Sequence, residues 1–315
     1  MMAAKMIRVL IVDDSPVARG ILRDLLEGQE GIEVIAEATH GQEAVELVEK
    51  LRPDLVTMDL NMPVMSGIEA IAQIMYSKAV PILVVSNESD AELAYQAISS
   101  GALEVIAKPR YTLEEAEIFA DKVRLLAGVS VITRMRQRYV SEPQQMTPAA
   151  YQLPNVAVSN VQQVFVIASS TGGPQALASL LPQLPADFPA PILIAQHISD
   201  GFIDGMAQWL SGLCQLPVKV AENGESLRNS CVYLSPSEHD LTVTARGYLA
   251  LTQRSAKDIY RPSCDALLTS VADVFGSQAV GIIMTGMGRD GAKGMRAIYN
   301  KGGITLAQDE ASESC

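Results

Sequence analysis

Positive charge is scarce in this 315-residue chain, which has 24 Lys and Arg residues against 36 Asp and Glu residues and a formal net charge of −12. A surface of this sign repels a phosphate backbone, so we expect no nucleic-acid binding. No apolar stretch approaches the roughly 18 residues of a membrane span. The N-terminus, MMAAKMIRVLIVDD, lacks the apolar run and cleavage site of a signal peptide. We therefore expect a soluble, cytoplasmic protein without membrane insertion.

Cysteines are few and widely spaced, and no two of them form a C-x-x-C pair: Cys214, Cys231, Cys264 and Cys315. The spacing of a zinc site is therefore absent from the sequence, and free thiols in a reducing compartment are the simplest interpretation. The composition is 48% hydrophobic and 19% charged, which is typical of globular proteins. A chain of this length predicts two domains.

Residues 1–128 alternate between short apolar runs and amphipathic stretches. The apolar runs predict strands at 7–12, 32–38, 54–58, 80–86 and 103–107. The stretches between them predict helices at 16–27, 42–50, 67–76, 90–100 and 113–127. Continuous apolar strands that alternate with helices indicate a doubly wound, flavodoxin-like parallel sheet covered on both faces. Ligands of such sheets bind at the carboxyl ends of the strands.

Polar residues follow these predicted strands. Asp13 and Asp14 end the first strand, Asp59 ends the third, Ser86 ends the fourth and Lys108 follows the fifth. Any one of these aspartates alone is more simply explained as a helix cap. Three carboxylates at one edge, however, repel each other unless a cation binds, and oxygen ligands suit Mg²⁺. A carboxylate beside Mg²⁺ and a lysine is equipped to attack phosphorus, because both cations offset the charge of the phosphoryl group.

The regular alternation stops near Gly128, and residues 129–163 predict a linker. A second α/β domain is predicted for 164–315, with strands at 164–168, 191–195, 217–221, 231–235, 279–284 and 303–307. Helices are predicted at 174–182, 202–213, 264–275 and 290–300. Residues 241–252 alternate around Arg246-Gly247 and predict a β-hairpin beside this second parallel sheet.

A serine, a histidine and an aspartate follow three of these strands. Ser170 follows 164–168, His197 follows 191–195 and Asp290 follows 279–284. Nucleophilic catalysis needs a hydroxyl, an imidazole that takes its proton and a carboxylate that orients the imidazole. Spacing alone leaves two interpretations open, a nucleophile at Ser170 or a helix cap at Ser170 or Thr171. A phosphate-binding loop is disfavoured, since no lysine follows the glycines of STGG at 170–173.

Residues 6–127 resemble the receiver domain of two-component response regulators in VDDS at 12–15, MDLNMPVMSG at 58–67, VVS at 84–86 and KP at 108–109. The resemblance implies that Asp59 is the phosphorylated residue. It implies that Asp13 and Asp14 hold Mg²⁺ together with Asp59 and the carbonyl of Asn61. It also implies that Ser86 bonds the phosphoryl group and that Lys108 pairs with it.

Residues 164–309 resemble the catalytic domain of the chemotaxis response-regulator methylesterases, the CheB family. The matching motifs are SSTGG at 169–173, QH at 196–197, YLSPSEHD at 233–240, RPSCDALLTSVA at 261–272 and MTGMGRDGAKGM at 284–295. By this resemblance Ser170 is the nucleophile, His197 the general base and Asp290 the residue that orients it. Backbone N–H groups of Thr171 and Met287 would form the oxyanion hole, and the esterase domain would need no cofactor.

The implied reaction is hydrolysis of glutamyl γ-methyl esters on the cytoplasmic part of methyl-accepting chemoreceptors, with deamidation of receptor glutamines as a related activity. The chemotaxis histidine kinase would phosphorylate Asp59 and relieve inhibition by the receiver domain. The alternative is a non-catalytic response regulator with a degenerate, partner-binding hydrolase domain. The resemblance also implies a tail beyond Cys315, so we expect the domain to be C-terminally short and the apolar strand at 303–307 to lack cover.

Overall fold

The structure is a computed structural model that describes residues 6–87, 90–129, 131, 162–253, 261–286 and 288–309. Most of the predicted linker and the predicted oxyanion residue Met287 lie outside these ranges. No helix in the described part of the chain is long and apolar enough to cross a membrane.

The first unit is a five-stranded parallel sheet with the strand order β2-β1-β3-β4-β5. Its strands are β1 (Ile7–Val12), β2 (Ile32–Ala38), β3 (Leu55–Met58), β4 (Ile82–Ser86) and β5 (Glu104–Ala107). Its helices are α1 (Pro16–Leu26), α2 (Gly41–Leu51), α3 (Gly67–Ser77), α4 (Ala91–Ser100) and α5 (Leu113–Ala127). This order is that of a flavodoxin-like fold, as the sequence predicts.

The second unit is a six-stranded sheet, in which all neighbouring strands run parallel in the order β13-β12-β6-β7-β9-β8. Its strands are β6 (Val164–Ser169), β7 (Ile192–Gln196), β8 (Val218–Val220), β9 (Val232–Leu234), β12 (Ala279–Ile283) and β13 (Ile304–Ala307). The helices are α6 (Gly173–Leu180), α7 (Ile203–Leu213), α8 (Cys264–Phe275) and α9 (Ala292–Asn300). The predicted hairpin is confirmed as β10 (His239–Val243) and β11 (Leu249–Gln253).

The strands that carry the three polar loop residues are neighbours. β12, β6 and β7 lie side by side and parallel, so their carboxyl ends meet at one edge of the sheet. Ser170 follows β6, His197 follows β7, and Asp290 lies in the loop between β12 and α9. The topology therefore brings these side chains within reach of one another.

The last strand differs from its sequence pattern. The near-continuous apolar run at 303–307 predicts a strand buried on both faces, but β13 is an edge strand with Ile304 and Leu306 exposed by 52% and 50%. The apolar pattern by itself therefore predicted the wrong burial, whereas the separate expectation that this strand lacks cover is confirmed. An apolar run alone does not say whether a strand has a neighbour on both sides or a cover on both faces.

The two units share one apolar cluster, which includes Ala94 and Ile98 of α4 together with Phe202 and Met206 of the second unit. Tyr95 of α4 stacks on Trp209 of α7, with ring centroids 5.3 Å apart and an interplanar angle of 23°. A Cβ atom at Gly205 would lie 2.8 Å from the Ala91 carbonyl oxygen, so the glycine permits this close approach of α7 to α4. The α4 face of the first unit is therefore packed against the second.

Candidate active site and phosphorylation site

Ser170 lies in a turn that depends on two glycines, one two residues after it and one in a neighbouring loop. β6 ends at Ser169, and α6 begins after Gly172, which has a φ of 75° in the left-handed region. From the loop after β12, Gly286 has a φ of 158° and approaches so closely that a Cβ atom there would lie 2.6 Å from that of Ser170. The helix-cap interpretation of Ser170 and Thr171 is wrong, because Gly172 is the N-cap residue of α6 and supplies no side chain.

His197 connects Ser170 to Asp290. The Nδ1 atom of His197 is 3.1 Å from Ser170 Oγ, and its Nε2 atom is 2.8 Å from Asp290 Oδ2. A carboxylate accepts only, so Nε2 carries the proton and donates to Asp290. Nδ1 then offers a lone pair that accepts the Ser170 hydroxyl proton. The arrangement has the chemical order of a nucleophile, a base and a carboxylate that orients the base.

The Asp290 carboxylate also accepts hydrogen bonds from the start of helix α8. It accepts the backbone N–H groups of Cys264 at 2.7 Å and Asp265 at 2.9 Å, which are the first two residues of α8. Burial acts to raise the pKa of Asp290, but the hydrogen bonds from His197 and these two N–H groups outweigh it and hold that pKa below its usual range. Asp290 is therefore fixed as an anion and faces His197.

Asp265 returns the same interaction to the next helix. Its Oδ1 atom accepts the N–H of Gly291 at 3.0 Å and that of Gly294 at 2.7 Å, at the start of α9. Asp265 lies in α8 and accepts hydrogen bonds from N–H groups at the start of α9. Asp290 precedes α9 and accepts hydrogen bonds from N–H groups at the start of α8. The sequence predicts a helix over 290–300, whereas α9 begins at Ala292, and Asp290 itself bonds to α8. The sequence pattern did not indicate a role for Asp265.

Gln196 holds the serine loop and the histidine loop together. Its Nε2 atom donates to the carbonyl oxygens of Ser170 at 2.7 Å and His197 at 2.8 Å, and its Oε1 accepts from Ser169 Oγ at 2.7 Å. A Cβ atom at Gly173 would lie 2.0 Å from Gln196 Oε1, so only glycine leaves room for this side chain. Ser169 is thereby engaged in a buried bond to Gln196, while Ser170 faces the histidine.

Thr171 lies beside the nucleophile and contacts the other unit. Its backbone N–H makes no hydrogen bond to any residue that the structure describes, which suits its predicted place in an oxyanion hole. Its hydroxyl donates to Glu104 Oε2 of β5 at 2.8 Å, and Glu104 also pairs with Lys122 at 2.6 Å. A side chain of the first unit therefore contacts the residue next to Ser170. No sequence pattern around Glu104 or Thr171 predicted this contact.

A second polar cluster lies at the carboxyl edge of the first sheet. Carboxylate oxygens of Asp13, Asp14 and Asp59 all lie within 4.8 Å of one another. Lys108 Nζ is 2.7 Å from Asp13 Oδ2 and 3.1 Å from Asp59 Oδ1. An oxygen-only donor set of this size fits Mg²⁺. Asn61 follows two residues after Asp59 and is exposed.

The charges of this cluster perturb each other. Burial raises the pKa of Asp59 above its usual range, and the nearby Asp13 carboxylate adds to this, although Lys108 opposes both. Burial would lower the pKa of Lys108, but its bond to Asp13 and the charge of Asp59 raise it overall. The cluster thus carries excess negative charge beside one cation, which is the condition that favours a bound divalent metal.

Ser86 connects this cluster to helix α4. The Ser86 side chain is buried, and its Oγ donates to Asp90 Oδ2 at 3.0 Å. Asp90 is the N-cap residue of α4, but its carboxylate makes no hydrogen bond to the N–H groups of that helix. The predicted phosphate-sensing serine is therefore hydrogen-bonded to the N-cap residue of the helix that packs on α7.

Comparisons with known proteins agree with both halves of the chain. Residues 165–315 match the CheB methylesterase family model, and residues 9–117 match the response regulator receiver domain model. A protein-glutamate methylesterase/protein-glutamine glutaminase 3 of Paramagnetospirillum magneticum is 52% identical over 97% of this chain and 87% of its own. A Myxococcus xanthus protein of the same name is 44% identical over 97% of this chain and 84% of its own.

Among solved structures, the catalytic domain of the Thermotoga maritima CheB methylesterase is 36% identical, with a TM-score of 0.46, over 47% of this chain and 80% of that one. The curated relatives match across nearly the whole chain, and the two family models follow one another in the same order as the two units of the fold. This chain is therefore a member of the CheB methylesterase family that carries a response regulator receiver domain.

Proposed function

We propose that this protein hydrolyses glutamyl γ-methyl esters on the cytoplasmic part of methyl-accepting chemoreceptors and deamidates receptor glutamines. We also propose that phosphorylation of Asp59 by the chemotaxis histidine kinase activates it. The observation that carries the proposal is the bonded series Ser170, His197 and Asp290, with separations of 3.1 and 2.8 Å. A degenerate domain that only binds a partner does not need this geometry. It also does not need the two N–H groups that donate to Asp290 and keep it ionised.

In the acylation step, Ser170 Oγ attacks the γ-carbonyl carbon while its proton moves to His197 Nδ1. The imidazolium that forms is stabilised by Asp290, which accepts from Nε2–H. The carbonyl oxygen becomes an oxyanion, for which the N–H of Thr171 is one donor and that of Met287 the expected second. Collapse of the tetrahedral intermediate breaks the bond to the methoxy group, which leaves as methanol with the proton from Nδ1.

In the deacylation step, water attacks the acyl-enzyme and gives a proton to His197 Nδ1. Collapse then breaks the bond to Ser170 Oγ, returns the proton to that oxygen and releases the glutamate γ-carboxylic acid, which loses its remaining proton to solvent. The same steps on a glutamine release ammonia in place of methanol, so one site suffices for both activities.

In the receiver domain, an Asp59 oxygen attacks the phosphorus of the phosphohistidine that the kinase presents. The phosphorus–nitrogen bond breaks, the kinase histidine leaves, and Asp59 becomes an acyl phosphate. Mg²⁺ held by Asp13, Asp14, Asp59 and the Asn61 carbonyl would offset the charge of the incoming phosphoryl group. Lys108, already 3.1 Å from Asp59 Oδ1, supplies a second positive charge on the same side.

Regulation follows from the contact between the two units. Glu104 holds the Thr171 hydroxyl, and α4 covers α7 through Tyr95 and Trp209. When Ser86 turns to a phosphoryl group on Asp59, it loses its bond to Asp90 at the start of α4. The change at the phosphorylation site thereby reaches the helix that fixes the receiver over the esterase domain.

The test is methanol release from methylated receptor membranes, with and without the phosphodonor acetyl phosphate. Ser170→Ala should lower turnover on the order of 10⁶-fold, whereas Ser169→Ala should cost far less because Ser169 bonds to Gln196. Asp59→Asn should keep the basal rate and lose the response to acetyl phosphate. No methanol from wild type under any condition would favour the non-catalytic alternative, and an active Ser170→Ala beside an inactive Ser169→Ala would overturn the nucleophile assignment.

A further inference from the structure

Cys264 places a thiol in the catalytic site that the hydrolytic mechanism does not use. Its Sγ atom is 3.4 Å from His197 Nε2, the same nitrogen that faces Asp290. One ligand atom from each of Cys264, His197 and Asp290 lies within 4.8 Å of the others. We propose that these three residues form an inhibitory binding site for Zn²⁺ or a similar thiophilic divalent ion.

The donor set and the spacing suit zinc. A thiolate, an imidazole nitrogen and a carboxylate oxygen are the three ligand types of protein zinc sites, and a catalytic-type site leaves the fourth position to water. With zinc bonds of about 2.3 Å to sulfur and 2.0–2.1 Å to nitrogen, a tetrahedral ion separates the two donors by roughly 3.6 Å. The observed Sγ to Nε2 distance is 3.4 Å. The 2.8 Å contact of Nε2 with Asp290 must widen by about 0.5 Å to admit the ion.

The carboxylate ligand is already held in place for this role. Asp290 accepts N–H groups from Cys264 and Asp265, so the orientation of the carboxylate does not depend on the histidine alone. Such supporting hydrogen bonds fix metal ligands in known sites.

Zinc bound at Nε2 blocks catalysis because it changes which ring nitrogen of His197 carries the proton. The ion takes the lone pair of Nε2, so the proton of the neutral ring moves to Nδ1, the nitrogen 3.1 Å from Ser170 Oγ. A protonated Nδ1 has no lone pair and cannot accept the serine proton. The Cys264 thiol releases its proton to solvent as the sulfur–metal bond forms. The inhibition rests on the proposed function, whereas the binding of the metal does not.

A purely structural role of Cys264 is the competing explanation. The side chain is buried, with an exposed fraction of 1%, and its thiol lies 3.5 Å from the Ala195 carbonyl oxygen. A cysteine that only fills this space would not bind a metal when the protein is titrated.

Binding is tested on the 315-residue chain with Co²⁺, whose bond to a thiolate gives a charge-transfer band in the near ultraviolet. Excess Mg²⁺ is present to occupy the carboxylate cluster of the receiver, which offers only oxygen. We expect a band that saturates at one Co²⁺ per chain, that Zn²⁺ abolishes, and that persists in the controls Cys214→Ser and Cys315→Ser. Cys264→Ser should lack it. A wild-type chain with no saturable band, or a band unchanged in Cys264→Ser, overturns the proposal.

Inhibition is tested separately by methanol release in the presence of Zn²⁺, with each variant compared to its own metal-free rate. Loss of the thiol should raise the Zn²⁺ concentration for half inhibition at least about tenfold, and EDTA should restore the wild-type rate. Equal zinc sensitivity of wild type and Cys264→Ser overturns the proposal. If that variant does not fold, Cys264→Ala takes its place. If no variant releases methanol, the cobalt band still decides the binding, and only the proposed function fails.

Discussion

The hydrogen bond between Glu104 and Thr171 links the receiver directly to the residue next to the nucleophile, and its removal should raise the basal activity. Glu104→Ala deletes the acceptor from the receiver side and leaves every esterase residue unchanged. Glu104→Gln keeps an oxygen that can accept from Thr171 but removes the charge and the pairing with Lys122. We expect the unphosphorylated rates to rise in the order wild type, Gln, Ala.

The size of the effect follows from the type of bond. A hydrogen bond to a charged group contributes about 1.5–3 kcal/mol, and the low end applies because Glu104 is only part-buried and Lys122 shares its charge. Since about 1.4 kcal/mol corresponds to a factor of ten, the equilibrium between closed and open forms should shift roughly tenfold towards the open form. The basal rate should rise by up to the same factor, and the activation by acetyl phosphate should shrink accordingly.

The assay is methanol release by full-length protein without phosphodonor, with Glu33→Ala as the matched control. Glu33 is an exposed glutamate on β2, at the edge of the receiver sheet opposite β5, so its loss should leave the basal rate unchanged. A folded Glu104→Ala protein whose unphosphorylated rate equals or falls below that of wild type would refute the inhibitory role of this contact.

Three further predictions concern single residues. Because the pKa of Asp290 is lowered in the fold, wild type should exceed Asp290→Asn in free energy of unfolding by about 1–3 kcal/mol at pH 7. This difference in unfolding free energy should vanish as the pH falls from the pKa of an unfolded aspartate, about 3.9, through the lowered pKa of Asp290. Urea unfolding at several pH values measures it, and a difference that grows in acid contradicts the prediction. Because the pKa of Asp59 is raised, its charge costs stability above that pKa, so without Mg²⁺ Asp59→Asn should melt higher than wild type at pH 7. Mg²⁺ at 100 times its Kd should stabilise wild type by about 2.7 kcal/mol and should stabilise Asp59→Asn less. If Mg²⁺ raises the calorimetric Tm of both proteins equally, the metal site is contradicted. Gln196→Leu should lower kcat about 10²-fold with little change in KM, as expected for misplaced reacting groups, and an unchanged kcat contradicts a positioning role for Gln196.

Much of the fold and the positions of the main candidate site residues followed from local sequence patterns, whereas their roles came from the family resemblance. The apolar runs that end in Asp13, Asp59 and Ser86 predicted a parallel sheet with a polar edge, and the structure has that sheet. The second sheet likewise brings Ser170 and His197 together, as strand-end positions predict. These inferences succeed because each rests on one strand and the residue that follows it.

The contacts that pattern reasoning missed join segments far apart in the chain. Asp265 and Asp290 exchange helix caps across 25 positions, and Glu104 meets Thr171 across 67. The thiol of Cys264 reaches His197 only because α8 starts behind the triad. The local sequence pattern around Glu104, Cys264 and Asp265 does not indicate which residues they contact. Only the packing of the elements identifies their partners.

Because Tyr95 stacks on Trp209, this face of helix α4 can pack on α7 or bind another protein, but not both at once. In the form described, Tyr95 is 2% exposed because α7 covers it. A protein that recognises this face of α4 must compete with α7 and can bind only after the two units separate. Linkage then requires that such a protein and the receptor substrate favour each other's binding, since both select the separated form. The esterase would gain activity from occupancy of α4 even without a phosphoryl group.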